Sequence, residues 1–133
     1  MIYLLDTHIL LWSLFEPNKI SAPIRAILEN ESDTKYVSGV NLWEISLKYS
    51  LGKLELGGMT PEELLDVMLE AGYEILDLDS HLLATYYQLP KKPDHRDPFD
   101  RLLIWQAISN DYTLLTQDTK IDQYRSSGLR LSR

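Results

Sequence analysis

The sequence contains no cysteine among its 133 residues. Without thiols the chain has no disulfide bonds, no thiolate ligands for a metal and no cysteine nucleophile. A domain of this length buries enough of its surface to be stable without such crosslinks. We therefore expect a single domain, residues 1–133, that is held together by an ordinary hydrophobic core.

Positive charge is also scarce, because 13 Lys and Arg residues stand against 20 Asp and Glu residues and leave a net charge of −7. A net charge of this sign opposes binding to nucleic acid and to anionic membranes. Either partner would need a local device, such as a bound divalent cation, to offset the repulsion. No segment approaches the roughly 20 apolar residues of a membrane-spanning helix, and the apolar N-terminal segment lacks the basic start of a signal peptide. We expect a soluble, cytoplasmic protein with no membrane partner.

Strand and helix patterns alternate along the chain. Residues 2–5 form a continuous apolar run, which is typical of a strand buried on both faces of a parallel sheet, and helical spacing of apolar residues follows from Thr7 to Phe15. Further strand patterns lie at residues 36–37, 73–78, 112–115 and 129–131, with helical patterns between them. This alternation predicts an α/β domain with a central, mainly parallel sheet of four to five strands flanked by helices.

Five acidic residues stand where a predicted strand ends or a predicted helix begins: Asp6, Glu44, Asp97, Asp100 and Asp118. Ligands of open α/β sheets bind beyond the carboxyl ends of the strands, so we expect these side chains to converge. Clustered carboxylates repel one another unless protons or cations neutralise them, and oxygen ligands without Cys or His favour Mg²⁺ or Mn²⁺. The sequence therefore predicts a divalent-cation site.

Helix capping is the alternative explanation for each of these acids. Residues 41–44, Asn-Leu-Trp-Glu, have the form of a capping box, and Asp97 followed by proline is a common helix start. Asp6 and Asp118 are likewise placed to cap the segments that follow them. Capping does not explain why nearly every junction carries an acid, since Ser, Thr and Asn cap as well. A helix N-terminus also keeps a carboxylate ionised and available to a metal, so both roles stay open.

Four motifs in order resemble those of the PIN-domain nucleases and, within them, of VapC-type toxins. The motifs are Leu4-Leu-Asp-Thr-His, Ser38-Gly-Val-Asn-Leu-Trp-Glu-Ile-Ser, His95-Arg-Asp-Pro-Phe-Asp-Arg-Leu-Leu-Ile and Leu114-Leu-Thr-Gln-Asp118, and they cover essentially the whole chain. The resemblance implies a PIN-like α/β/α sandwich and a Mg²⁺- or Mn²⁺-dependent endoribonuclease that hydrolyses RNA. It also implies a toxin of a toxin–antitoxin pair, with a cognate antitoxin protein as inhibitor, and a homodimer.

The resemblance further implies roles for individual acids. The family's four motif acids match Asp6, Glu44, Asp100 and Asp118, which would hold the metal and act in catalysis, with Glu44 as a ligand or as the general base. Asp97 is a fifth candidate metal residue, and three roles stay open for it: capping its helix, holding a metal-bound water or binding a second ion. The sequence departs from the family only in the motif's helix, where a tryptophan occupies position 105 in place of a small residue.

Candidate contacts to substrate come from hydroxyl and basic side chains near these acids. Thr7 and Thr116 are placed to hold a carboxylate or a water, with turn or cap bonds as the alternative. Arg96 and Arg101 flank the third motif and are candidate phosphate contacts, with intramolecular ion pairs as the alternative. Further candidate cations are Lys48, Lys53, Lys91 and Lys92.

The three histidines have weaker functional signals, and two other functions compete with the nuclease. We interpret His8 and His81 as packing or partner-contact residues, and His95 as a weak candidate for touching substrate. A receiver-like signalling domain would also carry a magnesium-binding acid cluster, but it expects adjacent acids after the first strand, where Asp6 stands alone. A catalytically silent PIN-like scaffold that binds RNA or protein is disfavoured because no acid of the set is missing.

Overall fold

Five parallel strands form one sheet in this computed structural model, which describes residues 1–133. In chain order the strands are β1 (Ile2–Leu5), β2 (Thr34–Ser38), β3 (Glu74–Leu76), β4 (Thr113–Leu115) and β5 (Arg130–Leu131). Across the sheet the order is β3-β2-β1-β4-β5, and every neighbouring pair is parallel. The predicted α/β sandwich is confirmed, with five strands and no antiparallel member.

Helices cover both faces of the sheet. The α-helices are α1 (Thr7–Phe15), α2 (Ala22–Glu29), α3 (Gly39–Ser50), α4 (Pro61–Glu70), α5 (Ser80–Thr85) and α6 (Pro98–Asn110). Three 3₁₀ segments lie at Pro17–Lys19, Tyr86–Gln88 and Thr119–Ser127. None of the helices has the length and apolar composition that crossing a membrane requires.

The side-chain alternation of β1 divides the core into two layers. Tyr3 and Leu5 belong to one buried cluster, which α1, α2, α3 and α4 complete, whereas Leu4 belongs to a second cluster with α6 and the last 3₁₀ segment. Leu4 and Leu5 are both fully buried, because each face of the strand is covered by helices. The continuous apolar run of β1 is thus the consequence of a sheet buried on both sides.

The sheet reverses its direction of growth between β1 and β4. From β1 the chain adds β2 and β3 on one side, and it then crosses back to place β4 and β5 on the other. Such a switch point opens a crevice at the carboxyl ends of the two central strands. The Asp6 amide donates to the carbonyl of Leu115 at 3.0 Å, which sets the end of β1 directly beside the end of β4. Residues that follow these two strands therefore meet.

The start of α3 differs from the sequence prediction. Ser38 is the cap residue, since its hydroxyl accepts from the Val40 amide at 3.0 Å, and Asn41 closes the capping box by accepting from the Ser38 amide at 2.8 Å. The predicted box over residues 41–44 is wrong, because Ser38 already has the extended backbone of a cap where β2 ends. Capping therefore does not account for Glu44.

Trp105, the departure from the family pattern, is accommodated between two helices. Its indole nitrogen Nε1 donates to Thr85 Oγ1 at 3.2 Å, and its ring packs against the second core cluster. The contact joins α6 to α5 on the face away from the acidic residues, so the substitution affects packing only.

Candidate metal centre

A cleft of about 370 Å³ lies at the carboxyl edge of the sheet and brings four of the five predicted acids together. Its polar lining residues are Asp6, Thr7, His8, Glu44, Lys48, Lys53, Asp97 and Asp100. Asp6 comes from the end of β1, Glu44 from α3, and Asp97 and Asp100 from the start of α6. Asp118, the fifth acid, follows β4 beside this cleft. Elements far apart in sequence thus place their acids at one edge of the sheet.

The ionisation of Asp100 shows how closely the acids are grouped. Burial raises the pKa of Asp100 from 3.8 to about 7, helped by the negative charges of all four other acids, Asp6, Asp97, Glu44 and Asp118. Asp100 is therefore partly protonated near neutral pH when no cation is bound. A cation in the cleft would take over the neutralising role of that proton.

Asp6 is held by side chains rather than by a helix end. Its carboxylate is only 4% exposed, and Oδ2 accepts from the Thr116 hydroxyl at 2.7 Å and lies 3.1 Å from His8 Nδ1. It occupies the N-cap position of α1 but accepts no hydrogen bond there from its side chain. The capping alternative therefore fails for Asp6. Side-chain hydrogen bonds thus orient the buried carboxylate, and it accepts no hydrogen bond from the helix backbone.

Glu44 is fixed at both carboxylate oxygens. The Thr7 hydroxyl donates to Oε1 at 2.7 Å, and the Lys48 ammonium donates to Oε2 at 2.5 Å. Asn41 in turn donates to the Thr7 hydroxyl at 2.8 Å, so consecutive hydrogen bonds from Asn41 through Thr7 orient the Glu44 carboxylate. The hydrogen bond to Glu44 raises the pKa of Lys48 against the effect of its burial. Each oxygen retains a second acceptor position, which leaves Glu44 able to bind a cation or a water.

Asp97 and Asp118 do cap the segments that follow them. Asp97 Oδ1 accepts from the amides of Phe99 and Asp100 at 2.8 and 3.2 Å, and Asp118 Oδ1 accepts from the Lys120 amide at 3.0 Å. In each case only one carboxylate oxygen is used for capping. For these two acids the structural and the metal-binding explanations are therefore compatible.

His8 lies in the cleft, although the sequence-based interpretation made it a packing residue. Its Nε2 accepts from the Gln117 amide at 3.3 Å, so Nδ1 carries the proton and donates to Asp6. Burial acts to lower the pKa of His8, but the hydrogen bond and the nearby charges of Asp6, Asp118 and Asp100 raise it above its ordinary value. The one available sequence signal was its place two residues after Asp6, on the first turn of α1.

His95 is a second residue whose position the sequence did not reveal. It is 5% exposed, its Nδ1 lies 2.8 Å from the Tyr124 hydroxyl, and its Nε2 lies 3.4 Å from Asp100 Oδ2. Arg101 donates to the same hydroxyl at 2.9 Å, so Tyr124 donates its own proton to His95 Nδ1. The remaining proton is then on Nε2, directed at Asp100 across a gap too long for a normal hydrogen bond.

His95 lies among the candidate metal ligands. Ligand atoms of His95, Asp100 and Asp118 lie within 4.8 Å of one another. The hydrogen-bond pattern through Tyr124 favours a proton on Nε2 over a free lone pair, which suits His95 to orienting the Asp100 carboxylate. The predicted set of oxygen ligands thus gains a supporting histidine.

Arg101 lies outside the acidic cleft. Its guanidinium is 8% exposed and donates to the carbonyls of Leu89 and Pro90 and to the hydroxyls of Tyr86 and Tyr124. The structure therefore does not bring Arg101 to the acidic cleft as a direct substrate contact. Its alternative, a carboxylate partner, is not found either. Arg96 is exposed, and its Nε donates to the Pro93 carbonyl at 3.0 Å.

The family is decided by a match along nearly the whole chain, since the family model described as PIN domain aligns with residues 3–126. The chain belongs to the PIN domain family. PIN domains are nucleases that use divalent metals, and in this PIN domain the acids converge where such a metal is needed. The resemblance drawn from the four motifs is confirmed.

Solved structures similar to this PIN domain match it over almost its full length. VapBC2 from Rickettsia felis, bound to a DNA fragment from its promoter, is 25% identical, with 98% of this chain and 97% of that chain covered and a TM-score of 0.72. VapBC-1 from nontypeable Haemophilus influenzae and FitAcB from Neisseria gonorrhoeae are each 20% identical, with 98% and 96% covered and TM-scores of 0.67 and 0.64. Comparison with curated protein sequences gives no match.

Proposed function

We propose that this PIN domain is a metal-dependent endoribonuclease and the toxin of a toxin–antitoxin pair. The observation that carries the proposal is the convergence of four carboxylates on Asp100, whose pKa is raised to about 7 by its burial and by their negative charges. Such mutual repulsion disfavours the cluster unless a cation binds there. We assign Asp6, Glu44, Asp100 and Asp118 as catalytic and metal-binding residues and Asp97 as an additional metal-binding residue.

The donor set fits Mg²⁺ or Mn²⁺. Asp6, Asp100 and Asp118 would hold the ion through carboxylate oxygens, which are the hard ligands that both cations prefer. When bound, a divalent cation lowers the pKa of a water and offsets the negative charge of a phosphodiester. The unpartnered Nε2 of buried His95 supports this assignment, because it faces the Asp100 carboxylate and would steady it as a ligand.

The chain's own residues supply orientation and proton transfer. Glu44, held at both oxygens by Thr7 and Lys48, is positioned to accept a proton from an attacking water. Thr116 donates to Asp6 and accepts from the Asp118 amide at 3.1 Å, which links the two acids across the switch point. Both threonines thus act by holding carboxylates.

RNA, an antitoxin and a second copy of the chain are the proposed partners. Lys48 and Lys53 line the cleft, where their ammonium groups can contact a phosphate of the RNA beside the acidic residues. The likeness to VapBC2 supports a cognate antitoxin as a protein partner. For the homodimer, the supporting feature is partly exposed apolar surface, such as Leu69 on α4, and light scattering of the purified protein would measure its mass.

Cleavage of RNA by the purified, antitoxin-free chain tests the proposed function. We expect a set of structured and single-stranded RNAs to be cut in Mg²⁺ or Mn²⁺, and cleavage to stop in EDTA and in the Asp100→Asn variant. Asp94→Asn is the matched control, because Asp94 is an exposed acid of the preceding loop that carries the same charge. Binding of RNA without cleavage by the folded, metal-loaded protein would instead indicate a silent scaffold.

A further inference from the structure

A second pocket, of about 440 Å³, lies beside the acidic cleft and is basic. Its lining residues are Lys91, Lys92, Pro93, His95, Arg96 and Arg101. His95 joins the two sites, because its ring lines the basic pocket while its Nε2 faces Asp100, which lines the acidic cleft. A ligand that reached from one site to the other would pass along His95.

The four cations of the basic pocket have no counter-charge within the chain. Ion pairs engage Lys19, Lys48, Arg130 and Arg133, yet none involves Lys91, Lys92, Arg96 or Arg101. Nine of the 13 Lys and Arg residues form no ion pair with an Asp or Glu side chain, and four of the nine are grouped at this one pocket. Arg101 is the most informative, because its guanidinium is buried and all its hydrogen-bond partners are neutral. Four hydrogen bonds hold the guanidinium in place, and its charge adds to the positive charge of the pocket.

The pocket is also held in shape by its own hydrogen bonds. Arg101 anchors the start of the loop by donating to the carbonyls of Leu89 and Pro90, both at 3.1 Å. The His95 amide donates to the Lys92 carbonyl at 3.1 Å and closes a tight turn, and Arg96 donates to the Pro93 carbonyl. Lys92 Nζ lies 5.8 Å from the centre of the Tyr124 ring. The cations are therefore positioned before any ligand binds, which lowers the entropic cost of binding.

We propose that this basic pocket binds a backbone phosphate of the RNA substrate, next to the phosphate that is cleaved in the acidic cleft. The inference rests on the proposed ribonuclease function and names the surface that holds the strand. Arginine and lysine side chains grouped around a cavity suit a phosphate by charge and by hydrogen-bond geometry. Because His95 lies 3.4 Å from Asp100, neighbouring phosphates of one strand would reach the two sites. The pocket thus supplies the local attraction that an acidic nuclease needs for a polyanion.

Salt-dependent RNA binding tests this proposal without any need for cleavage. The full chain carrying Asp100→Asn is compared with the same chain carrying Lys91→Gln and Arg96→Gln in addition, on a fluorescent single-stranded RNA at constant Mg²⁺. The pocket holds one phosphate, and each phosphate neutralised on a single strand adds about 0.7 to the slope of log K against log salt, so the slope should fall by about 0.7 and affinity at 0.1 M salt by about 5-fold. Both side chains are exposed, which protects folding, and urea unfolding verifies it.

The matched control carries Arg25→Gln and Arg125→Gln in the same Asp100→Asn chain, and both are exposed cations that do not line the pocket. It has the same net charge as the pocket variant and should retain the original slope. Equal salt slopes of RNA binding for the pocket variant and the parent would overturn the proposal, as would equal RNA affinity of the two proteins at 0.1 M salt. Absence of RNA binding by the parent itself would overturn the proposed ribonuclease function, which separates the two failures.

Discussion

Asp100→Asn should stabilise the metal-free protein while it removes the activity. In the absence of a cation, burial and the negative charges of four other acids raise the pKa of Asp100 from 3.8 to about 7. Between those two pH values the folded protein keeps a proton that the unfolded chain has released. The wild type therefore loses stability as the pH rises from about 4 to about 7, and the asparagine variant does not.

The size of the gain follows from the pKa shift. A shift from 3.8 to about 7 corresponds to about 4 kcal/mol above pH 7, at about 1.36 kcal/mol for each pH unit. The side chain is 26% exposed, and solvent screening reduces the effect, so we expect about 2 kcal/mol. In a chain of this length that gain is an increase of about 6 °C in Tm. At pH 4 most of the gain should be lost, because the folded wild type then holds the proton and the unfolded chain holds it in a large fraction of molecules.

Urea unfolding in EDTA, followed by circular dichroism from pH 4 to pH 8, measures this difference. Asp94→Asn is the control for net charge, since Asp94 is exposed and should change stability by less than about 0.5 kcal/mol. A variant at position 100 that is equally stable or less stable than the wild type at pH 8 would refute the reasoning. Such a result would mean that the acids do not repel one another in the free protein.

Three further predictions concern the same site. Millimolar Mg²⁺ or Mn²⁺ should raise the free energy of unfolding of the wild type at pH 7.5, by about 2.7 kcal/mol at 100-fold excess over Kd, and should not raise that of the asparagine variant. EDTA should reverse the effect, and a wild type whose urea unfolding does not respond to the ion would contradict the prediction. Thr116→Val removes the hydroxyl that holds Asp6 and should weaken Mn²⁺ binding by tenfold or more in calorimetry, where equal affinity would show that this hydroxyl does not position the acid. Tyr124→Phe leaves His95 Nδ1 and one Arg101 donor without a partner and should cost about 1 to 3 kcal/mol in urea unfolding, whereas exposed Tyr87→Phe should cost almost nothing; equal losses would contradict the proposed network.

The sequence predicted the sheet well because its strands are buried on both faces. The continuous apolar run of β1 and the pattern before Asp118 have no other simple explanation than central parallel strands. The acids of the cleft were predictable for the same reason, since residues that follow central strands must meet at the switch point. The limits of β3 were less accurate, because its residues are only partly buried at the edge of the sheet and carry a weaker pattern.

The parts of the site that the sequence did not reveal depend on tertiary contacts. Ser38 replaced Asn41 as the cap of α3 because the end of β2, not the local motif, fixes where the helix starts. His95 and Arg101 were predicted only as candidate substrate contacts, yet both pack around the Tyr124 hydroxyl, which comes from a segment 23 to 29 residues later. No periodicity in the sequence encodes a contact of this kind.

Binding of Mn²⁺, followed by electron paramagnetic resonance of the free ion, tests the central claim most directly. The account predicts that the wild-type chain removes Mn²⁺ from solution at pH 7.5, that Mg²⁺ competes for the same site, and that an Asp6→Asn, Asp100→Asn double variant leaves the ion free. Full Mn²⁺ signal in the presence of folded wild-type protein, or equal binding by the double variant, would contradict the assignment of these acids as a metal centre.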